Sequence, residues 1–257
     1  MTNRQYLVRY LGDARVQIYL ALAVSATVGT LAAFPSEPRI LLGIAAAIVC
    51  EPFIEYAIHR WLFHNRTFYR FKSTAAFWKQ MHYDHHRDPN DEDTVFGPAD
   101  WMLPAALAIT IPIGWLAGGP AGAAGSAMIG FWVLVVYEYF HGAAHLLTDP
   151  PTAYGRWVKR IHVLHHFHNE KGNFGITNPL VDLLVGSYYD TAKDVERSPT
   201  ARNLGYTETE AEKFPWVEEL DQEDGKKAAM EARRAAITQP RPATQPEPAA
   251  APSDTPV

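Results

Sequence analysis

Cysteine, histidine and charge are each missing from long parts of this 257-residue chain. The single cysteine, Cys50, lies in an apolar segment, so disulfides play no part and we expect this thiol to serve packing. The net charge of −5 is small and negative, which gives no reason to expect a nucleic-acid partner. No histidine precedes His59 or follows His168, so all eleven lie in the middle of the chain. Random placement would not confine them in this way.

Ten of the eleven histidines form four tight clusters. The clusters are His59 and His64; His82, His85 and His86; His141 and His145; and His162, His165 and His166. Positions i, i+3 and i+4 of a helix share one face, so each three-histidine cluster predicts one imidazole-bearing face. Ten imidazoles exceed the roughly four to six ligands of one transition-metal ion but suit two ions that share a site. The alternative, a set of unrelated core or surface histidines, explains one histidine more readily than four clusters.

The first cluster has a different spacing from the others. His59 and His64 are five positions apart, which places them roughly 140° apart around an ideal α-helix. The sequence therefore predicts either that they bind different metals or that the helix ends there.

Four segments are almost free of charge: residues 16–34, residues 40–59 with only Glu51 and Glu55, residues 101–119 and residues 121–136. A helix rises about 1.5 Å per residue, so about twenty residues cross a bilayer core of about 30 Å. We therefore predict an all-α, multi-pass membrane protein with four transmembrane helices in two hairpins. The hairpins would turn at Pro35–Pro38 and Gly118–Pro120. The alternative is a soluble protein with four buried core helices.

Basic residues precede the first of these segments and follow the second and the fourth, whereas the two predicted turns have only Arg39 next to them. By the positive-inside rule, both termini and all four histidine clusters face the cytoplasm, where a helical cap would hold the dimetal site. The first apolar run is too long for a cleavable signal peptide and has no processing site. The Ala/Pro/Arg-rich composition favours a bacterial inner membrane.

The composition also predicts how the chain is divided. Residues 1–204 would form the membrane-embedded domain, and residues 205–238 a polar, partly helical cytoplasmic segment. Residues 239–257 are rich in proline and alanine and too polar to form a core, so we expect a disordered tail.

The four clusters, in the order HX4H, HX2HH, HX3H and HX2HH, resemble the fatty acid hydroxylase superfamily. This superfamily also includes sterol desaturases and carotenoid hydroxylases, and within it the resemblance is strongest to the fatty acid 2-hydroxylases. The similarity extends from about Glu55 to Asp182, roughly half of the chain. Beyond the histidines it includes EYAIHRWLFH at residues 55–64, VFGP at residues 95–98 and FGIT at residues 174–177.

This resemblance implies a membrane-embedded di-iron oxygenase that inserts one oxygen atom of O2 into a lipid C–H bond. It implies that the ten clustered histidines bind two Fe ions; Zn could replace iron in purified protein because imidazole binds both. His168 lies outside the family pattern, so we do not expect it to be a ligand. Many eukaryotic members have an N-terminal haem domain for which this chain has no room, so we expect a separate electron-donor protein.

Two residues before the third cluster are candidate catalytic residues. The 2-hydroxylases have a Tyr-Asp pair there, and this chain has Tyr137 and Glu138. They precede His141 by four and three positions, so on a continuous helix both lie on the side of the ligand. We expect them to hold the polar head of the lipid, with bracing of a histidine ring as the alternative for Glu138.

Carboxylates are expected to accept the second ring N–H of metal-binding histidines. The candidates are Glu51, Glu55, Asp84, Glu138 and Asp182. The alternative for each is an interfacial carboxylate that faces water.

Three classes of function remain open. The resemblance favours hydroxylation of an acyl chain near its carbonyl end, in a fatty acid or an N-acyl lipid. A lipid, sterol or carotenoid desaturase or hydroxylase acting at another position, or on an aminolipid head group, is the second class. A membrane metal-binding or transport protein is the third, but transport would need polar residues along the whole membrane path, and these histidines collect at one end.

Overall fold

The computed structural model describes residues 1–146, 148–222 and 225, and these residues form helices and turns with no β-strand. The all-α prediction is thus confirmed. The predicted tail, residues 239–257, and residues 223–224 and 226–238 of the polar segment before it lie outside the described residues. The α-helices are α1 (Asn3–Gly12), α2 (Ala14–Ala33), α3 (Ile40–Ala57), α4 (Lys72–Trp78), α5 (Asp84–Arg87), α6 (Glu92–Val95), α7 (Ala99–His145), α8 (Ala153–Phe167), α9 (Leu180–Val185) and α10 (Glu208–Lys213).

Among the described residues, three helical stretches are long and apolar enough to cross a membrane. They are α2, the stretch Ile40–Arg70 that begins with α3, and α7. Such stretches are typical of an integral membrane protein. The apolar character comes from the sequence: α3, for example, has only Glu51 and Glu55 as charged residues.

The backbone of α7 leaves helical geometry at Gly118 and Gly119. Gly119 has φ 64°, a conformation that costs glycine little because it has no Cβ. Residues on the two sides of this point contact each other, since the Ser126 hydroxyl donates to the carbonyl of Thr110 at 2.7 Å. The two parts of α7 therefore pack side by side.

Glycines allow α3 to approach α7 closely. A Cβ on Gly43 would lie 1.8 Å from the carbonyl oxygen of Gly122, and one on Gly125 would lie 2.4 Å from that of Ile40. Small residues at such contacts let helix backbones meet in membranes, where packing replaces the hydrophobic effect as the force between helices. α1 is attached to α7 as well, because the hydroxyls of Tyr6 and Tyr10 donate to backbone carbonyls of α7 at 2.5 and 2.6 Å.

Gly43→Ala is expected to destabilise the protein by about 1–3 kcal/mol, because the new methyl group overlaps the backbone of α7. Thermal unfolding of the detergent-solubilised protein measures the effect. Gly29→Ala is the matched control, since a Cβ there meets nothing within 4 Å and alanine favours a helix. Equal unfolding temperatures for Gly43→Ala and the unmodified protein would contradict the close packing of α3 on α7.

Candidate metal centre

The four histidine clusters come from four parts of the fold and meet in one place. His59 and His64 lie at a π-helical turn, Ile58–Phe63, that continues α3. The π-helical turn Lys79–Tyr83 and α5 carry the second cluster, and α7 and α8 carry the third and fourth. The ten clustered histidines are thus brought together, whereas His168 lies apart and donates from Nε2 to the carbonyl of Val195 at 2.9 Å.

The ten histidines form two groups of five, within each of which one ring nitrogen per residue lies within 4.8 Å of the others. The first group is His59, His64, His82, His86 and His165, and the second group is His85, His141, His145, His162 and His166. The groups adjoin, since the ring centroids of His86 and His166 are 4.0 Å apart. Each three-histidine cluster divides between the groups, with its i and i+4 residues in one group and its i+3 residue in the other.

The spacing of His59 and His64 is explained by the π-helical turn. The amide of His64 donates to the carbonyl of His59 at 3.1 Å, an i+5 hydrogen bond, and the turn ends at His64. Their Nε2 atoms are 3.2 Å apart and both belong to the first group. The spacing left two alternatives open, namely different metals or the end of a helix. The structure shows that the helix ends at His64.

Burial keeps these imidazoles neutral. Nine of the ten are buried, and His64 is half-buried. Burial lowers the pKa of the histidines outside the apolar stretches, to about 3 for His86 and in the same direction for His82, His85, His162, His165 and His166. A neutral imidazole has a lone pair for a metal at physiological pH.

Backbone carbonyls orient four of the rings. The Nδ1 atoms of His59, His86, His141 and His165 lie 2.5–2.7 Å from the carbonyl oxygens of Phe174, Ala201, Val95 and Gly172, respectively. A carbonyl oxygen only accepts, so each Nδ1 must donate its proton. The Nε2 atoms of these four neutral rings therefore have no hydrogen and present a lone pair.

The Nε2 atoms converge in a way that suits metal ions. In the first group, Nε2 of His64 lies 3.2 Å from Nε2 of both His59 and His165, two atoms that carry lone pairs. In the second group, Nε2 of His145 lies 2.9 Å from Nε2 of His162, and Nε2 of His141 is buried without a hydrogen-bond partner. One neutral imidazole has only one N–H to donate, so these contacts cannot all be hydrogen bonds. A cation in each group would satisfy the lone pairs, and an all-imidazole donor set fits a divalent transition metal.

Two of the candidate carboxylates hydrogen-bond to a loop whose carbonyl orients a ring, and not to the ring itself. Asp182 accepts from the amides of Phe174 and Gly175 at 3.0 and 2.7 Å, and thereby fixes the Phe174 carbonyl that orients His59. Glu55 accepts from the amides of Ile176 and Thr177 in the same loop. The expectation that carboxylates accept the ring N–H was wrong for these four oriented rings.

The other candidate carboxylates have separate contacts. Glu138 accepts from the amide of Gly97 at 3.0 Å, two residues after the Val95 carbonyl that orients His141. Asp84 pairs with Lys79 at 2.7 Å, and Glu51 lies 3.4 Å from the hydroxyl of Thr177. The sequence did not identify the residues whose carbonyls orient the rings as site residues. Two of them, Val95 and Phe174, nevertheless lie in the VFGP and FGIT segments.

Asp182→Asn is expected to weaken metal binding about 10–100-fold, because the new NH2 group faces amide donors and displaces the loop that orients His59 and His165. Competition with a chelator of known affinity measures the change. Asp190→Asn, at an exposed carboxylate paired with Arg160, serves as the control. Unchanged affinity in Asp182→Asn would show that this loop does not set the metal site.

Two cavities open beside the histidine groups. The first, the polar pocket, has a volume of about 230 Å³ and is lined by His82, His85 and His141 together with Arg15, Gln80, Asp84 and Thr94, among others. The second, the apolar cavity, also measures about 230 Å³, lies between α3 and α7, and reaches His59. Four residues line both: Phe63, Met81, Met102 and Tyr137.

Tyr137 and Glu138 have different surroundings. The ring of Tyr137 stacks on His141 at 5.5 Å and lines both cavities, and among the described residues its hydroxyl has no hydrogen bond. Glu138 is fully buried, and its Oε2 has no hydrogen-bond partner among the described residues. Only Tyr137 therefore faces the cavities directly.

Residues 44–187, more than half of the chain, match the family model described as Fatty acid hydroxylase. The chain is 29% identical over 161 residues to the dihydroceramide fatty acyl 2-hydroxylase FAH1 of Arabidopsis thaliana, covering 59% of this chain and 62% of that protein. It is 31% identical over 136 residues to the fatty acid 2-hydroxylase of Homo sapiens, covering 50% of this chain and 34% of that protein. The chain thus covers less than two thirds of the length of these relatives.

A solved structure described as full-length Scs7p, with only its hydroxylase domain visible, has a similar fold. The TM-score is 0.61 at 22% sequence identity, and the match covers 74% of this chain and 69% of that one. At this identity, the likeness concerns the fold alone.

Proposed function

The chain belongs to the fatty acid hydroxylase family, and from this premise we propose that it hydroxylates a C–H bond of a membrane lipid. The bond would lie in an acyl chain near its carbonyl end, in a fatty acid or an N-acyl lipid. The reaction would be R–H + O2 + 2 e⁻ + 2 H⁺ → R–OH + H2O. A separate protein would supply the electrons.

The observation that supports this proposal is the junction of the two cavities. The apolar cavity offers an acyl chain a lining of side chains such as Ile109, Ile113 and Val133 within the membrane helices. The polar pocket offers hydrogen-bonding groups to a lipid head. Histidines of both groups lie where the cavities meet, so a lipid that fills both would present the carbons next to its head group to the metal centre.

Two Fe ions would be held by the two histidine groups, and when bound they would supply the redox chemistry that activates O2. The protein contributes the surroundings. Buried neutral imidazoles present their lone pairs, backbone carbonyls hold the rings in place, and the apolar cavity keeps bulk water from the acyl chain.

Tyr137 is the residue that we assign to the substrate. Its hydroxyl belongs to a ring at the junction of the cavities and is available to the carbonyl or hydroxyl of a lipid head. We assign Glu138 to positioning, because its carboxylate holds the segment whose Val95 carbonyl orients His141.

Mass spectrometry of total lipids tests the proposed reaction. Cells that express the chain should contain a lipid with a mass gain of one oxygen, and cells that express His85→Ala should not. A loss of two hydrogens would instead identify a desaturase, and an oxygen confined to the head-group fragment would identify a head-group hydroxylase. Metal flux without any change in lipid mass would favour the transport alternative.

We further propose four membrane spans in two hairpins, with the histidine cap and both termini in the cytoplasm of a bacterial inner membrane. Support comes from the contact between the two parts of α7 and from the basic residues at the histidine end of the helices. Ser36→Cys and Pro120→Cys, each in a Cys50→Ala background, should react with an impermeant thiol reagent from outside intact cells. Labelling of either position only after lysis would contradict this topology.

A further inference from the structure

The apolar cavity has two ends, one at the histidines and one within the membrane helices. At the first end it reaches His59 and Tyr137. At the other end its lining starts at Ala47 on α3, stops at Ile113 on the first part of α7 and starts again at Ile129 on the second part. We call these the metal end and the far end of the cavity.

Backbone contacts close the space just beyond the far end. Gly43 lies one helical turn before Ala47, and a Cβ on it would lie 1.8 Å from the carbonyl oxygen of Gly122. A Cβ on Gly114, the residue after Ile113, would lie 2.3 Å from the same oxygen. The second part of α7 therefore touches both α3 and the first part of α7 here. These contacts leave no room for an acyl chain between the helices.

The depth of the cavity corresponds to one leaflet of a bilayer. From Ala47 to Ala57, two residues before His59, α3 rises about 15 Å. From Trp101 to Ile113, the other cavity-lining stretch that spans this depth, α7 rises about 18 Å. Half of a bilayer core is about 15 Å thick. An extended acyl chain that crosses one leaflet would thus reach from the metal end to the far end.

We propose that the far end of the apolar cavity sets the length of the acyl chain that the protein accepts. This inference rests on the proposed function, in which the head group lies in the polar pocket and the carbons next to it lie at the metal centre. One end of the chain is then fixed, and the backbone contacts beyond Ala47 and Ile113 stop the other end.

Two opposing effects would give the accepted chains a preferred length. Each CH2 group that becomes buried in the apolar cavity favours binding about fourfold, so affinity should rise with length until the chain meets the far end. A longer chain would have to bend back or withdraw its target carbon from the metal centre, because the close-packed helices do not yield space. Affinity should therefore fall beyond the length that fills the cavity.

Ala47→Leu should shorten the preferred chain. Ala47 is buried at the far end, and leucine adds three carbon atoms there, so the longest bound chain should lose about two to four carbons. The metal-loaded protein, in a detergent without an acyl chain, is mixed with an equimolar series of saturated fatty acids or of ceramides that carry the same chains. Native mass spectrometry then gives the length of each bound chain from its mass. Ala45→Leu is the matched control, because Ala45 is exposed on the same helix and does not line the cavity.

Ile113→Ala should have the opposite effect and does not depend on the folding of Ala47→Leu. It removes three carbon atoms from the far end, so the longest bound chain should gain about two to four carbons. Ile111→Ala is its control, since Ile111 is 41% exposed and lies outside the cavity lining. The same distribution of bound lengths in Ala47→Leu, Ile113→Ala and the unmodified protein would overturn the proposal, and so would the absence of any bound chain in both mixtures.

Turnover of the same mixtures in nanodiscs separates this proposal from the proposed function. The hydroxylated products should shift in length as the bound chains do. Bound chains that shift in length without any hydroxylation would reject the proposed function while the length limit stands. Hydroxylated products of equal length in Ala47→Leu and Ile113→Ala would overturn the length limit while the proposed function stands.

Discussion

His165→Ala is expected to abolish lipid hydroxylation and to lower the metal content from two ions per chain to about one. The substitution removes an Nε2 donor from the first group, where it lies 3.2 Å from Nε2 of His64. His85→Ala should do the same in the second group, since its Nε2 lies 3.1 Å from that of His145. Elemental analysis and turnover measured on the same preparation check both variants.

His168→Ala is the control for this pair. Its ring contacts the carbonyl of Val195 and lies outside both histidine groups. It should retain two metals and nearly full turnover. A single ion, or none, in the unmodified protein after iron loading would contradict the two-metal site, and so would a full metal content in both His165→Ala and His85→Ala.

Tyr137→Phe is expected to lower turnover about a hundredfold while two metals stay bound, because misplacement of the reacting carbon by about 1 Å can cost that much. The substitution keeps the ring that stacks on His141 and removes only the hydroxyl that faces the cavities. The loss should therefore appear in turnover and not in metal content. Full activity of Tyr137→Phe would end its assignment to the substrate.

Glu138→Gln distinguishes two possible roles of Glu138, the positioning of His141 and the binding of the substrate. If Glu138 acts through Gly97 and Val95 on His141, the variant should lose metal affinity as well as activity. Loss of activity with two metals bound at unchanged affinity would place Glu138 with Tyr137 at the substrate instead. Measurement of metal affinity by chelator competition distinguishes the two results.

The sequence by itself predicted the all-α class, the membrane character and the ten histidines that the fold brings together. These features can be recognised in short segments of sequence. An uncharged run indicates that a helix has apolar surroundings, and an i, i+3, i+4 pattern indicates that the residues share one face of a helix. The spacing of His59 and His64 was ambiguous, because an ideal α-helix separates them and only a π-helical turn brings them together.

Only the tertiary structure decided how the histidines are shared and what holds them. The i, i+3, i+4 pattern places His82, His85 and His86 on one face but does not say which other histidines each ring meets. In the fold, the ring of His85 lies against His141 and His145 of α7, whereas the rings of His82 and His86 lie against His64. The sequence favoured carboxylates as ring partners, since they are recognisable by residue type. The partners of the four oriented rings are backbone carbonyls, including those of Phe174, Gly172 and Ala201. Every residue has a carbonyl, so residue type could not identify these partners, and their positions depend on loops that meet the histidines only in the folded chain.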